Sequence, residues 1–256
     1  MRLITLAIAA ALMPLTAHAG QTITYTVGEA EYEGYLAKAT RESKGLVIVI
    51  HDWDGLDAYE ETRAEMLADQ GYDAFAVDLY GKGNRPDTTE GKKAQVGLLY
   101  SNREMMRERI LAGLSTAREE TGKTSAVVMG YCFGGGATLE LARSGLGTDV
   151  VGYATFHGSL DTPDGQDYSK ATAPILIAHG GADAGIPNTV AVKLTDDLEA
   201  AKVPYELEIY SGAPHAFTVF GSSRYQKLAD EKSWASFLTF VDRYLADADT
   251  TDSSEE

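Results

Sequence analysis

The fold of this chain is decided by one stretch, Ser-Ala-Val-Val-Met-Gly-Tyr-Cys-Phe-Gly-Gly-Gly at residues 125–136. The apolar run at 125–129 predicts a buried strand, and residues 135–142 predict a helix directly after it. Between them, Gly130-Tyr-Cys132-Phe-Gly134 has the G-x-S-x-G spacing of a sharp strand-to-helix turn, with cysteine in place of serine. Such a turn exposes its middle residue above the sheet, and the helix N-terminus favours a thiolate there. Cys132 is therefore the candidate nucleophile.

Short apolar runs recur on both sides of this turn. They lie at residues 46–50, 74–77, 126–129, 150–156, 175–178 and 207–210 and alternate with amphipathic helical segments, the clearest at 106–117, 191–198 and 234–245. Continuous apolar strands are typical of a parallel sheet covered on both faces, and the run at 207–210, interrupted by Glu208, is expected nearer an edge. Alternation in residues 23–27 and 32–35 around Gly28-Glu29 predicts an antiparallel hairpin. The sequence predicts an α/β fold with a mostly parallel sheet, an N-terminal antiparallel hairpin and helices on both faces.

Composition excludes several classes of protein. The 256 residues carry 38 acidic and 22 basic side chains, a formal net charge of −16. A nucleic-acid-binding protein needs a cationic surface, which this chain does not offer. The only cysteine is Cys132, so an internal disulfide and a multi-cysteine metal site are both excluded.

Both ends of the chain differ in composition from the middle. Residues 1–19 begin with Met-Arg, continue with an apolar stretch and end in Ala17-His-Ala19, the pattern of a signal peptide cleaved after Ala19. We expect a periplasmic or secreted location; an uncleaved membrane anchor is the alternative. Residues 20–246 are expected to form the folded domain. Residues 247–256 carry five acids and no base and are expected to be disordered.

A nucleophile at such a turn predicts an acid and then a histidine, each after a later strand. Asp183 follows the strand at 175–178, and His215 follows the strand at 207–210. We therefore predict a relay in which Asp183 orients His215 and His215 takes the proton from Cys132. The expected oxyanion hole consists of the backbone N–H groups of Phe133 and Trp53.

These residues admit other interpretations. Cys132 could be a small buried apolar residue, and Asp161, Asp164 and Asp167 are rival acids that precede the required strand. His51, His157 and His179 are expected to be structural, and His51-Asp52-x-Asp54 lacks a second histidine at metal-ligand spacing. The glycines match neither a dinucleotide fingerprint nor a P-loop.

At this point the sequence resembles the dienelactone hydrolase (carboxymethylenebutenolidase) family of α/β-hydrolases. The resemblance runs from about Tyr35 to Leu245 and rests on the segments at 45–56, 71–81, 130–136, 156–158, 179–183 and 215–217. It implies an α/β-hydrolase fold, a Cys132–His215–Asp183 triad and no metal or cofactor.

The resemblance also suggests a substrate pocket near Asp52, Trp53, Tyr80 and Phe217. Asp52 occupies the place of an acidic residue, usually glutamate, that influences the resting thiol in this family. Better-known members carry an arginine a few residues after the catalytic histidine, which holds the substrate's carboxylate. Here no arginine follows His215 until Arg224, so a substrate other than dienelactone is expected.

The resulting expectation is an exported, monomeric cysteine hydrolase that cleaves small lactones or activated carboxylic esters through an acyl-thioenzyme. We expect it to act on a small molecule and to bind neither nucleic acid nor membrane. The alternatives are a peptidase or acyltransferase on the same fold, a degenerate hydrolase that only binds ligands, and a redox-sensing thiol.

Overall fold

The computed structural model describes residues 20–252, which form one eight-stranded sheet. Its spatial order is β1-β2-β4-β3-β5-β6-β7-β8. The strands are β1 (Gln21–Val27), β2 (Ala30–Ala37), β3 (Leu46–Ile50), β4 (Asp73–Val77), β5 (Ala126–Tyr131), β6 (Val150–Phe156), β7 (Ile175–Gly180) and β8 (Tyr205–Tyr210). β1 and β2 pair as an antiparallel hairpin, and β2 pairs antiparallel to β4. From β4 to β8 every pairing is parallel, which confirms the predicted fold class.

Helices cover both faces of this sheet. They are α1 (Ala58–Asp69), α2 (Thr89–Ser101), α3 (Arg103–Thr121), α4 (Phe133–Ser144), α5 (Asn188–Ala201) and α6 (Lys227–Asp252). Alternate residues of β3 enter opposite cores: Ile48 belongs to the core that includes residues of α3, α4 and α5, whereas Val47 and Val49 belong to the core that includes residues of α1 and α6. This explains the unbroken apolar strands, because each strand is buried from two sides.

The edges of the sheet also agree with the sequence pattern. β8 lies at one edge, and all six of its residues keep some exposure to solvent, as Glu208 within the run indicated. The hairpin supplies the other edge. Since β3, β5, β6, β7 and β8 run parallel, the loops that follow them gather at one edge of the sheet, and this edge carries the candidate site.

Helices α1 and α2 were not located by the sequence analysis. In α2 only Leu99 is fully buried, and its apolar stripe, Val96, Leu99 and Tyr100, is confined to the last turns of the helix. In α1 the buried positions include Glu60 and Arg63, two charged residues that a periodicity argument assigns to the surface. Both helices flank the candidate site.

The two ends of the chain were predicted to lie outside the fold. α6 continues to Asp252 and so includes residues 247–252 of the segment that was predicted to be a disordered tail. Alanines at 246 and 248 support continuation of an existing helix. Residues 253–256 and the predicted signal peptide, 1–19, lie outside the described residues. Within residues 20–252, no helix is both long enough and apolar enough to cross a bilayer.

Candidate active site

Cys132 stands at the turn between β5 and α4 in a strained backbone conformation, with φ of 51° and ψ of −112°. Residues other than glycine rarely adopt this conformation, and it is characteristic of functional sites. The flanking glycines are required because backbone atoms of neighbouring segments come too close to leave room for a Cβ. A Cβ at Gly130 would overlap the carbonyl of Gly134, and a Cβ at Gly134 would overlap the carbonyl oxygens of Ile50 and His51. The chain can therefore make this turn only with glycine at both positions.

The turn brings Cys132 to His215 and Asp183. His215 Nε2 lies 3.1 Å from Cys132 Sγ, and His215 Nδ1 lies 2.7 Å from Asp183 Oδ2. Asp183 follows β7 and His215 follows β8, so the order along the sheet edge matches the order in the chain. The structure thus places His215 within hydrogen-bond distance of both Cys132 and Asp183.

Asp183 is held by its own loop. Its Oδ1 accepts hydrogen bonds from the N–H groups of Gly185 at 2.9 Å and Ile186 at 3.0 Å. The side chain is 0% exposed, whereas the His215 side chain is 26% exposed. The carboxylate is therefore fixed with its second oxygen directed at the imidazole, which favours the tautomer with the proton on Nδ1 and leaves Nε2 free to accept the thiol proton.

His157 packs its ring against the ring of His215. Its ring lies 5.3 Å from the His215 ring at an interplanar angle of 64°, and its Nε2 lies 2.7 Å from Thr218 Oγ1. Burial lowers the pKa of His157 well below its usual value, so this ring is neutral at physiological pH. The prediction of a structural histidine fits this packing.

The environment of Cys132 does not favour a free thiolate. Burial, followed by the negative charge of Asp52, raises the pKa of the thiol to about 12. The Phe133 N–H, which bonds the sulfur, and the charge of Arg224 act in the opposite direction but are weaker. The helix N-terminus is expected to favour a thiolate, and burial acts in the opposite direction. The basic group in contact with this thiol is His215 Nε2.

The charge of Asp52 affects the pKa of the Cys132 thiol, and this charge itself depends on pH. Burial raises the pKa of its carboxyl to about 7, although its Oδ1 accepts a 2.8 Å hydrogen bond from the Asp54 N–H. Below that pH the carboxyl is neutral and no longer opposes ionisation of Cys132. Above it, the charge on Asp52 makes the thiolate less stable.

We expect Asp52→Asn to raise the rate of Cys132 alkylation by iodoacetamide at pH 8 by about tenfold, the effect of one pKa unit on the thiol. Asparagine keeps the acceptor for Asp54 N–H but carries no charge. At pH 5.5 the rates of the two proteins should converge, because Asp52 is then protonated in the wild type as well. The measurement is the pseudo-first-order labelling rate across pH 5–9, and equal rates at pH 8 would disprove the coupling.

Glu60 positions the loop that holds Asp52 and Trp53, and the sequence analysis missed it. This buried carboxylate accepts from the N–H of Asp52 and from the N–H of Asp57, both at 3.2 Å. Asp57 in turn caps α1 by accepting from the Tyr59 N–H at 2.7 Å. The Asp57-x-x-Glu60 pattern is a capping box, so the sequence did contain the signal.

Two cavities open beside Cys132. The first, which we term the His215 cavity, has a volume of about 400 Å³, and its lining includes Trp53, Cys132, His215, Val219, Ser222 and Arg224. The second, which we term the α2 cavity, has a volume of about 250 Å³, and its lining includes Trp53, Val96, Gly97, Tyr100, Cys132 and Phe133. Cys132 thus borders space on two sides.

Two of the four residues predicted to lie near the substrate line these cavities, and two do not. Asp52 does line the His215 cavity, and Trp53 lines both cavities. Phe217 is 0% exposed and packs beside His157 and Tyr210, so it belongs to the core. Tyr80 is also buried; its hydroxyl donates to the Trp53 carbonyl at 3.1 Å, which makes it a support for that loop. Neither Tyr80 nor Phe217 is part of the lining of the two cavities.

Arg224 reaches the site despite its distance from His215 in the chain. The segment after His215 makes successive turns and returns its end to the catalytic edge, where Arg224 lines the His215 cavity. In the sequence, the position of this arginine is only a departure from the family pattern. Arg224 lies in the lining because of the path of the loop after His215, which the spacing of residues along the sequence does not reveal.

A metal cluster at His51 was an alternative interpretation, but both ring nitrogens of His51 form hydrogen bonds with the backbone. Nε2 accepts from the Leu79 N–H at 3.1 Å, so Nδ1 carries the proton and donates to the Asp52 carbonyl at 2.6 Å. Both ring nitrogens are thereby engaged. Among residues 20–252, no three or more His, Cys, Asp or Glu side chains are arranged to hold a metal ion.

A mostly parallel sheet covered by helices, with a sharp strand–helix turn at its carboxyl edge, defines an α/β-hydrolase. Within that class, the chain belongs to the dienelactone hydrolase family, whose profile matches residues 32–245. It is therefore a hydrolase of carboxylic esters or lactones.

Curated relatives and solved structures agree with this assignment. A Saccharolobus solfataricus protein named as a carboxymethylenebutenolidase is 29% identical over 263 residues, covering 86% of this chain and 97% of the relative. A Bradyrhizobium protein named as a 2-oxo-3-(5-oxofuran-2-ylidene)propanoate lactonase is 27% identical over 215 residues, covering 78% and 84%. The crystal structure of a dienelactone hydrolase-like promiscuous phosphotriesterase from metagenomic libraries superposes with a TM-score of 0.79 at 25% identity, covering 88% of this chain and 98% of that one.

Proposed function

We propose that this protein hydrolyses lactones and activated carboxylic esters through a covalent acyl-thioenzyme on Cys132. The observation that carries the proposal is the continuous line of contacts from Cys132 Sγ to His215 and on to Asp183, at 3.1 Å and 2.7 Å. This line lies at the junction of two cavities, where a substrate carbonyl can reach the sulfur. Geometry of this kind is what nucleophilic catalysis requires.

In the acylation step, His215 Nε2 takes the thiol proton as Cys132 Sγ attacks the carbonyl carbon. The carbonyl oxygen gains negative charge, and the proposed donors that stabilise this charge are the backbone N–H groups of Phe133 and Trp53. As the tetrahedral adduct collapses, the carbon–oxygen bond to the alcohol breaks. The imidazolium returns its proton to the leaving oxygen, and Asp183 stabilises the positive charge on the ring in between.

In the deacylation step, water replaces the alcohol beside His215. His215 Nε2 removes a proton from the water, the resulting hydroxide attacks the thioester, and the carbon–sulfur bond breaks. The proton then passes from the imidazolium to the departing thiolate. Because burial and Asp52 raise the pKa of Cys132, the regenerated thiol is the stable form, which returns the enzyme to its starting state.

The nature of sulfur limits the substrates. A thiolate leaves a tetrahedral adduct more readily than an unprotonated amine does, so an amide adduct collapses backwards unless the imidazolium protonates its nitrogen first. An aryl ester or an enol lactone releases a stabilised oxygen anion and avoids this. The proposed substrates are therefore activated esters and lactones rather than peptides.

We expect p-nitrophenyl acetate to be cleaved with a kcat/KM at least about 10³-fold above that of p-nitroacetanilide, a difference of about 4 kcal/mol in barrier. Both substrates carry the same acyl group and the same nitroaryl ring, so the ratio isolates the leaving atom. Release of nitrophenolate or nitroaniline, corrected for uncatalysed hydrolysis, is the measurement. Comparable enzymatic rates would contradict the proposal and favour a peptidase.

A further inference from the structure

The two cavities share two residues, Cys132 and Trp53. These are the proposed nucleophile and one proposed oxyanion residue. A carbonyl whose carbon contacts Cys132 Sγ and whose oxygen points at the N–H groups of Trp53 and Phe133 therefore lies where the cavities meet. Its two remaining substituents must then point in different directions, one into each cavity.

We propose that the α2 cavity binds the acyl portion of the substrate and the His215 cavity binds the leaving alcohol. This rests on the function proposed above. His215 Nε2 has to deliver a proton to the leaving oxygen, so that oxygen and its substituent lie on the His215 side of the sulfur. The acyl substituent is left with the opposite side, which α2 covers.

The chemistry of the two cavities fits this division. The lining of the α2 cavity includes the aromatic rings of Trp53, Tyr100 and Phe133, and the Tyr100 and Phe133 rings lie 5.5 Å apart. Its volume of about 250 Å³ is at the lower end for ligand pockets, so it suits a short apolar acyl chain. The His215 cavity is larger, at about 400 Å³.

Both cavities have polar residues in their lining, and the His215 cavity has more charged ones. The lining of the α2 cavity includes Lys93 and Ser159. That of the His215 cavity includes Asp52, Ser222 and Arg224. A leaving alcohol that carries polar groups can hydrogen-bond there, whereas an apolar one leaves these groups without partners. The substrate class that follows is a short-chain apolar acyl ester of a larger, polar alcohol, or a small lactone whose ring spans the junction.

Gly97 offers a direct way to test the acyl assignment. It lies within α2 and lines the α2 cavity, and a Cβ built on it meets no atom within 4 Å beyond its own stretch of helix. A larger side chain can therefore be added without displacing protein, and replacing a glycine within a helix favours the helix. α2 is held to the Trp53 loop by an ion pair in which Lys92 Nζ lies 2.5 Å from Asp54 Oδ1.

The experiment compares Gly97→Leu with Val219→Phe, which narrows the His215 cavity from its own side. One substrate series varies the acyl chain as p-nitrophenyl acetate, butyrate and hexanoate. The other keeps acetate and varies the alcohol from phenyl to naphthyl. We expect Gly97→Leu to lower the hexanoate-to-acetate ratio of kcat/KM at least tenfold with little change in the naphthyl-to-phenyl ratio. We expect Val219→Phe to lower the naphthyl-to-phenyl ratio at least tenfold with little change in the hexanoate-to-acetate ratio. Leu98→Gln, an exposed neighbour on α2, should change neither ratio.

The assignment is overturned if Gly97→Leu, with a Tm that matches the wild type, lowers the naphthyl-to-phenyl ratio as much as the hexanoate-to-acetate ratio or more. An exchange of the two effects would place the acyl group in the His215 cavity. Failure of the proposed function is a separate result: turnover that survives Cys132→Ala refutes the mechanism whatever the selectivity ratios show. The two failures are therefore distinguishable in the same set of proteins.

Discussion

Replacing Cys132 by alanine is expected to lower kcat/KM for p-nitrophenyl acetate by on the order of 10⁵-fold, as removal of a nucleophile from a triad does. The sulfur is the only heavy atom lost, and it is the atom that forms the covalent bond. Cys132 is the only cysteine of the chain, so no neighbouring thiol can take its place beside His215.

The fold should survive this substitution. Alanine adopts the backbone conformation of Cys132 no less easily, and the backbone bonds of the turn, from Cys132 N–H to the Phe156 carbonyl and from Ser159 N–H to the Cys132 carbonyl, are unaffected. Circular dichroism and Tm should match the wild type. A variant that keeps wild-type turnover would remove Cys132 from the mechanism. A wild type that cleaves no ester or lactone would instead favour a degenerate, ligand-binding hydrolase.

Asp183→Asn is expected to lower kcat by about 10³–10⁴-fold, the size of effect that an equivalent change has in serine triads. The introduced amide oxygen can stay on the N–H groups of Gly185 and Ile186, where the Asp183 Oδ1 accepts in the wild type. The introduced amide nitrogen then faces His215 Nδ1 and donates to it. This forces the imidazole proton onto Nε2, which can no longer accept a proton from the thiol.

The matched control for this change is Asp167→Asn. Asp167 is exposed and bonds only locally, to Ser169, and it was a rival acid in the sequence. We expect kcat to stay within about twofold of the wild type, as for a surface residue far from the reacting atoms. Steady-state kinetics on one ester, with KM reported separately, gives the comparison. Loss of activity in Asp167→Asn with retention in Asp183→Asn would reverse the assignment of the acid.

The strands and the order of the site residues were predictable because both follow from strong local constraints. Strands buried on two faces leave continuous apolar runs, and a nucleophile turn needs glycines where no Cβ fits, as at Gly134. Once the strands are parallel, residues that follow them must gather at one edge. This is why Asp183 and His215 could be placed near Cys132 without any knowledge of the intervening loops.

The pocket was predicted less well because it depends on which way side chains point. Tyr80 and Phe217 occupy loops at the correct edge, yet both turn inwards to the core. Arg224 enters the His215 cavity through a loop whose path the spacing does not reveal. The raised pKa of Cys132 likewise depends on burial by distant parts of the chain, which the local turn motif does not encode.

The most direct test of the mechanism is mass spectrometry of the protein quenched in acid during turnover of p-nitrophenyl acetate. The account predicts an added acetyl group on the peptide that contains Cys132, removed by neutral hydroxylamine as a thioester is. The label should accumulate in the first turnovers and be absent from Cys132→Ala. Turnover without acetylation of Cys132, or acetylation at another residue, would contradict the account.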